Sequence, residues 1–426
     1  MLQRGIYKWD LVLLIINSII GAGIFGLPSK IFRLSGPYSL LAFIVCAIAI
    51  LIIILVFAEV SSRFDRTGGP YLYILESFGP FAAFIMGWLL LLSRIFNYAT
   101  LISLLVIYLS VFSPIMNQPG YRYLCIFLIT LFLTIINFIG VKNSTRLTNI
   151  FTIAKLLPLA LFIIAGIPNI DPANLTFSEP PTTGNFATSV MLLVFAFGGF
   201  ESVLVNSGEI INPKKNLPIA LLTGAFVVTV FYCLIQLVCI GTLPGLASSE
   251  KPLADAAAIF LGPWGGRLIA MGAFISIFAT LNAIVLSGSR LPYALSNEGQ
   301  FPKLFSYVHP LYHTPTTSLV IFSITGCIIS FAWSFIAALT IAVIIRLFVY
   351  LFVCASMIRL RKKMQGSYFK LRYGIVFAIT GMVITLTLLY SSGKSDMLNV
   401  LICAVIGLLI YFGHKNFQGR KKQIKP

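Results

Sequence analysis

Five ionisable side chains sit inside or at the ends of long apolar runs, and they are the residues best placed to do chemistry. Glu201 directly follows the string Phe195-Ala196-Phe197-Gly198-Gly199-Phe200, and Lys155 lies within TIAKLLPLALFIIAGI. Arg94 and Arg346 fall near the middle of two further runs, and Glu59 closes another. An ionisable group in a bilayer is costly and marks an ion, proton or substrate pathway by default. An acid beside a helix break either titrates as a gate or simply accepts hydrogen bonds from unwound amides. A lysine one-third of the way into a span either carries a proton reversibly or snorkels to the headgroups. Arginine stays protonated, so each arginine needs a water-filled cavity or a partner, for which Glu201 and Glu59 are the candidates. An arginine facing a substrate would repel cationic side chains and favour neutral or acidic ones; the alternative is a buried tie between helices.

Other chemistries lack their residues. The three histidines fall in expected loops or at a span end. His309 and His313 stand in HPLYH, whose proline is incompatible with two ligands on one helical face. The seven cysteines all lie in apolar runs with no CxxC pair, so neither a disulfide framework nor a metal site is expected. A membrane-embedded enzyme would need a positioned nucleophile and base, and none is apparent. No catalytic residue, metal or cofactor is therefore assigned.

The elements that must hold these groups follow from composition. Of 426 residues, 58% are hydrophobic and 10% are charged, against roughly 25% charged in a soluble domain. That excludes a soluble enzyme. The apolar runs are too long for barrel strands, so the expected fold is an all-α integral membrane bundle. Twelve spans are expected, at 10–34, 37–62, 81–111, 122–140, 148–168, 186–208, 217–243, 267–294, 316–334, 335–360, 373–391 and 396–414. An even number puts both termini on one side. Placing them in the cytoplasm leaves 22 of the 30 Lys and Arg residues inside, 6 outside and 2 mid-span, as the preference of basic residues for cytoplasmic loops requires. The net charge of +18 thus marks topology and lipid contact rather than nucleic acid. The first apolar run is too long for the core of a cleaved leader. Asn143 and Asn174 begin N-x-T patterns; the first falls inside, and the short chain fits a bacterial cytoplasmic membrane rather than a glycosylated surface. Residues 252–266 are expected to form a short helix over the outer mouth.

Two spans carry glycine breaks in corresponding places. Span one contains Ile19-Ile20-Gly21-Ala22-Gly23-Ile24, and span six contains Gly198-Gly199. These spans head successive blocks of five, and an odd block length inverts the second block. A matched pair of interrupted spans is the sequence pointer to an inverted-repeat transporter; close helix packing is the bland alternative. A break exposes amides at one half-helix end, which suit a carboxylate, and carbonyls at the other, which suit a cation. An α-amino acid carries both groups. The amides of Ala22, Gly23 and Ile24, beside Gly21, would hold the carboxylate. The carbonyls of Ile19, Phe195 and Gly198, with Ala196 and Gly199 in the same turn, would hold the ammonium.

These residues occur in longer strings. GAGIFGLP in span one, GGPYLY after span two and FAFGGFESVLVNSGEIINPKKNLPIAL across span six resemble the amino acid–polyamine–organocation superfamily, and the likeness runs over essentially the whole chain. It implies a leucine-transporter-type 5+5 inverted repeat at 10–168 and 186–360, with two additional C-terminal helices at 373–414. It further implies that Lys155 replaces a coupling sodium ion and that Glu201 gates or relays a proton. Asn97 and Tyr98 become side-chain-pocket candidates, and Phe195 and Phe200 become gates. The expectation is a proton-coupled, sodium-independent amino acid transporter. An exchanger without proton coupling, a polyamine or other amine permease, and a channel gated at the glycines remain the alternatives. The expected partners are the solute, protons and lipid, with oligomeric state left open.

Overall fold

A computed structural model describes residues 6–64, 69–139, 145–177, 179–204, 210–364 and 367–423, with side chains omitted at 145–151 and 414–423. Gly68, Asn143 and the Asn206–Glu209 part of the span-six motif lie outside the described residues, as does the His414 side chain. Sixteen α-helices account for most of the described chain. They are α1 Lys8–Ile19, α2 Gly23–Ser35, α3 Ser39–Ser61, α4 Gly69–Phe78, α5 Pro80–Leu109, α6 Pro119–Ile139, α7 Thr145–Gly166 and α8 Thr183–Phe197. They continue as α9 Phe200–Leu204, α10 Pro213–Thr242, α11 Pro252–Phe260, α12 Gly262–Asn297, α13 Thr316–Ala332, α14 Phe335–Lys363, α15 Gly374–Tyr390 and α16 Lys394–Gln423. No strand forms among the described residues; Ile6 and Ile210 make one isolated parallel bridge.

Each apolar run expected to span the bilayer is helical. Among the described residues, nine segments are long and apolar enough to cross a membrane, and α13 and α15 are shorter apolar helices. The segment Gly23–Ser61 counts as one of the nine because a single 3-10 turn at Gly36–Tyr38 joins α2 to α3. Spans one and six are divided as their glycines foretold, into α1–α2 and α8–α9. The tight join near Trp333 is explained by a cap. The Ser334 hydroxyl accepts the Ala337 amide at 3.3 Å and starts α14 with only two residues, Trp333 and Ser334, between it and α13.

Packing sorts the helices by depth. α5 and α14 sit at the centre and pack against each other and, for α5, against α12. At the periphery, α6 exposes Phe127, Leu131 and Ile135, α15 exposes Ile379 and Val383, and α16 exposes Leu401, Val405 and Leu409. Apolar faces of that extent, borne by consecutive turns on several helices, belong against lipid tails. The chain is a multi-pass membrane protein.

At the basic face a buried acid fastens the C-terminal end of α3. The Glu59 carboxylate, fully buried, accepts from Arg63 Nη2 at 2.8 Å and from Arg361 Nε and Nη2 at 2.7 and 2.6 Å. It also accepts the Leu371 amide at 2.9 Å, and Arg63 Nη1 donates to the Met364 carbonyl at 2.7 Å. Glu59 is therefore the anchor of the α14–α15 connection, and Arg361, counted by sequence among the loop charges, folds back onto it. Removing one partner of a buried, multiply bonded ion cluster costs about 3–5 kcal/mol. Glu59→Gln is expected to lower the detergent-solubilised melting midpoint clearly. A midpoint equal to the parent protein's would show that the cluster contributes nothing to stability.

Candidate substrate site

The first break consists of Ile20, Gly21 and Ala22. The chain leaves α1 when the Ile20 amide donates to Ile16, and it re-enters a helix when Phe25 and Gly26 donate to the Ala22 carbonyl, each at 3.1 Å. Among the described residues, the Gly21 and Ala22 amides have no acceptor. The Gly23 and Ile24 amides, in the first turn of α2, have no partner within that helix. Four amides thus cluster at one helix start, an arrangement that suits an anion. Gly23 also brings the two breaks together, since a Cβ there would lie 2.5 Å from Ala196 Cα. Gly21 is roomier, its nearest neighbour being Thr280 of α12 at 3.6 Å.

The carbonyl side of this break is already engaged. Lys155 of α7, 1% exposed, donates Nζ to the carbonyls of Asn17 at 3.2 Å and Ile20 at 3.0 Å. Its ammonium therefore lies against the C-terminal end of α1, where the half-helix dipole favours a cation. The Tyr232 hydroxyl of α10 lies within donating distance of the Ile19 carbonyl, at 3.3 Å, and the Ala196 carbonyl, at 3.1 Å. Tyr232 ties the two breaks together, and sequence reasoning passed over it. The available signal was a tyrosine hydroxyl inside the apolar run FVVTVFYCLIQL, which had to find a partner.

The second break is built from extended Gly198 and from Gly199 at φ +112°, a conformation that only glycine adopts readily. A Cβ on Gly199 would collide with the Ser18 carbonyl, and one on Gly198 with the Arg346 guanidinium. Glu201, 6% exposed, turns back so that Oε2 accepts the Gly199 amide at 2.9 Å. Arg346 of α14 places Nε 3.1 Å from Glu201 Oε1 and donates Nη1 to the Val194 and Phe195 carbonyls, both at 3.4 Å. The Tyr350 hydroxyl, one turn along α14, donates to Glu201 at 3.4 Å. Phe200 stacks on Tyr350 and meets Phe57 edge-on, and Phe195 lies beneath the Arg346 guanidinium at 5.9 Å. The protein thus supplies its own acid to the amide end of this break and its own guanidinium to the carbonyl end.

The remaining candidates divide. Arg94 is half-buried on α5 and stands in the field of Glu201, Arg346 and Tyr350, yet makes no hydrogen bond or ion pair with a described residue. Asn97 is buried and donates to Ser93 at 3.3 Å. Tyr98 turns away from the breaks. Its hydroxyl shares a 2.6 Å hydrogen bond with Thr130 of α6, and its ring packs on Phe322 and against Gly326 of α13. Sequence placed Tyr98 beside Asn97 in the pocket, but adjacent residues on a helix point about 100° apart, and here the second faces the neighbouring helices. The Ile19 carbonyl expected to take a substrate ammonium accepts from Tyr232 instead, and that of Phe195 accepts from Arg346. At the loop, His309 Nδ1 accepts the Leu311 and Tyr312 amides, so its ring serves a turn. On the face opposite the basic one, a cavity of about 430 Å³ opens beside α11, lined in part by Asn117, Lys251 and Asp255.

Comparison with known proteins identifies the family. A family model described as amino acid permease matches residues 7–418. The methylthioribose transporter of Bacillus subtilis (strain 168) is 29% identical over 96% of this chain and 93% of its own length. From the same organism, the serine/threonine exchanger SteT is 30% identical, covering 94% of each chain, and the branched-chain amino acid permease BcaP is 28% identical over 96% and 93%. Two interrupted membrane helices facing each other, a family match along nearly the whole chain and three relatives named as a transporter, an exchanger and a permease lead to one assignment: the chain belongs to the amino acid permease family of the amino acid–polyamine–organocation superfamily, and is a transporter rather than an enzyme.

Proposed function

We propose that this protein is a secondary active transporter that carries amino acids across the cytoplasmic membrane by alternating access, driven by protons and independent of sodium. In this reading the apolar helices make twelve spans: two inverted blocks of five, at 10–168 and 186–360, and two additional C-terminal spans at 373–414. Both termini are cytoplasmic, as the distribution of Lys and Arg favours. The observation that carries the reading is Lys155 Nζ on the Asn17 and Ile20 carbonyls at the first break. Carbonyls at an unwound helix end are the ligands a coupling sodium ion would use, and here an ammonium holds them. A lysine proton can leave and return, whereas a sodium ion must be bound and released. When protonated, Lys155 ties α7 to the end of α1; when neutral, it loses a donor and its Coulombic hold, and the tie loosens. The substrate carboxylate, held by the Gly21–Ile24 amides on the other side of the same break, senses that change through the backbone between them.

The similarity to a protein named as an exchanger supports a second reading, obligatory exchange without proton coupling. Purified protein in proteoliposomes, tested with a radiolabelled amino acid and polyamine panel, separates the two. The expected result is saturable, stereoselective uptake of an amino acid that rises with an acid-outside gradient and persists when choline replaces sodium. Uptake that only follows internal counter-solute, indifferent to the gradient, would establish exchange. Sodium-dependent accumulation would overturn the role given to Lys155, and ohmic current without solute would establish a channel.

A further inference from the structure

The groups around the two breaks are unequally spent. Six acceptors at the half-helix ends already have a donor: Asn17 and Ile20 have Lys155, Ile19 and Ala196 have Tyr232, and Val194 and Phe195 have Arg346. Among the described residues, the Ser18, Phe197 and Gly198 carbonyls have none. The Glu201 carboxylate is shared among Gly199, Tyr350 and Arg346. The unused donors among the described residues are the amides at the start of α2 and the guanidinium of Arg94, which is the one charged group at the breaks without a hydrogen bond or ion pair to a described residue. The fixed charges agree. Among the described residues, Arg94, Arg346 and Glu201 share one field and sum to one positive charge inside the bundle, with Lys155 separately engaged at the end of α1. A buried charge without a counterion is unfavourable by far more than an exposed one.

We propose that the substrate is a dicarboxylic amino acid, carrying net charge −1, whose side-chain carboxylate pairs with Arg94 and draws Arg346 off the α8 carbonyls. This rests on the amino acid transporter reading and narrows it. The α-carboxylate takes the α2 amides, and the second carboxylate cancels the spare positive charge. The hold of Arg346 on Val194 and Phe195 is loose, at 3.4 Å for both bonds, and its Nε has no well-aligned acceptor although Glu201 is 3.1 Å away. The fully engaged Arg361, by comparison, sits 2.6–2.7 Å from Glu59. A guanidinium held that weakly can exchange its carbonyls for a carboxylate, and the vacated carbonyls then accept the substrate ammonium. A neutral amino acid brings an ammonium to the same carbonyls but nothing to move Arg346, and a cationic one adds a second like charge. Arg94 and Arg346 are thus specificity-determining residues, and Arg346 occupies the ammonium position until an acidic side chain moves it.

The test uses reconstituted full-length protein and compares isosteres. Uptake of L-glutamate and L-aspartate is measured against L-glutamine, L-asparagine, L-leucine and L-lysine, with 2-oxoglutarate as competitor. Discrimination for an acid over its amide is expected to be about tenfold or more, the worth of one charge-assisted hydrogen bond pair. Arg94→Gln is expected to raise KM for the acid by a similar factor while leaving that for the amide in place, with Arg94→Lys restoring part of the difference. A merely structural Arg94 would instead impair acid and amide alike, and that result overturns the proposal. Uptake of amides or leucine equal to that of the acids overturns it too, while the transporter reading survives. Competition by 2-oxoglutarate as strong as by glutamate removes the ammonium from recognition and also overturns it. Failure of every amino acid to be transported rejects both readings together.

Discussion

Lys155→Ala, reconstituted in vesicles, is expected to exchange substrate across the membrane yet lose accumulation driven by an acid-outside gradient. In the parent protein the Lys155 ammonium is bonded to two carbonyls at the end of α1 and is almost completely buried. Its protonation is therefore inseparable from how firmly α7 grips that end. Alanine removes the proton carrier and leaves the Asn17 and Ile20 carbonyls short of a donor, at about 1–3 kcal/mol for each unsatisfied group. A drop in stability alone would prove little. Lys155→Gln separates the effects, because its amide N–H groups can still bond a carbonyl without titrating. Lys155→Gln is expected to recover much of the melting midpoint and of substrate binding, and still to show no dependence of accumulation on the gradient. Pump-like accumulation unchanged in both variants would remove Lys155 from the coupling step.

Gly199→Ala is expected to abolish transport and to lower the yield of folded protein sharply. Two independent faults coincide at this position. The backbone sits at φ +112°, and the added Cβ would press on the Ser18 carbonyl of α1. The first fault alone costs roughly 1–3 kcal/mol, and the second forces the two interrupted helices apart where they touch. Gly23→Val should act from the other side of the same contact, because its Cβ meets the Ala196 backbone at 2.5 Å. Gly21→Ala is the control. Its Cβ finds Thr280 at an ordinary 3.6 Å, so yield should remain near that of the parent protein. Near-parental binding affinity in Gly23→Val, measured by scintillation proximity, would show that the two breaks need not meet for recognition. It would also remove the amide cradle from the site.

The glycine comparison shows what can be read locally. That helices break at 20–22 and 198–199 follows from residues within a few positions of the break, because glycine's helix penalty and its freedom at positive φ are properties of the residue itself. That Gly199 rests on Ser18, and Gly23 on Ala196, joins segments far apart along the chain. No short-range rule supplies that pairing.

The charges divide in the same way. Burial of Glu59, Glu201 and Arg346 was legible because each interrupts an apolar run, whereas for Lys155 the run alone also allowed snorkelling and only the family resemblance implied a buried role. Their partners were not. Both acids were candidates for either mid-span arginine, and the outcome turned on rotation about helix axes: Arg346 reaches Glu201 at the second break, while Glu59 is claimed by Arg63 and by Arg361 from the far end of α14. Tyr98 makes the same point, since one residue's step around α5 carries it from the side of Asn97 into the contact with α6 and α13.

By itself, then, the sequence determined that this is a helical membrane protein, where its helices run, which two are interrupted and which charges lie buried. Those properties depend on apolar length, on glycine and on the cost of charge in hydrocarbon, all of which act along a single segment. It took packing to put Lys155 and Tyr232 on the carbonyls of the first break and Arg346 on the carbonyl end of the second, and to leave Arg94 with no hydrogen bond or ion pair to a described residue. Those facts depend on which face each helix turns toward its neighbours, and the packing of the whole bundle sets that orientation.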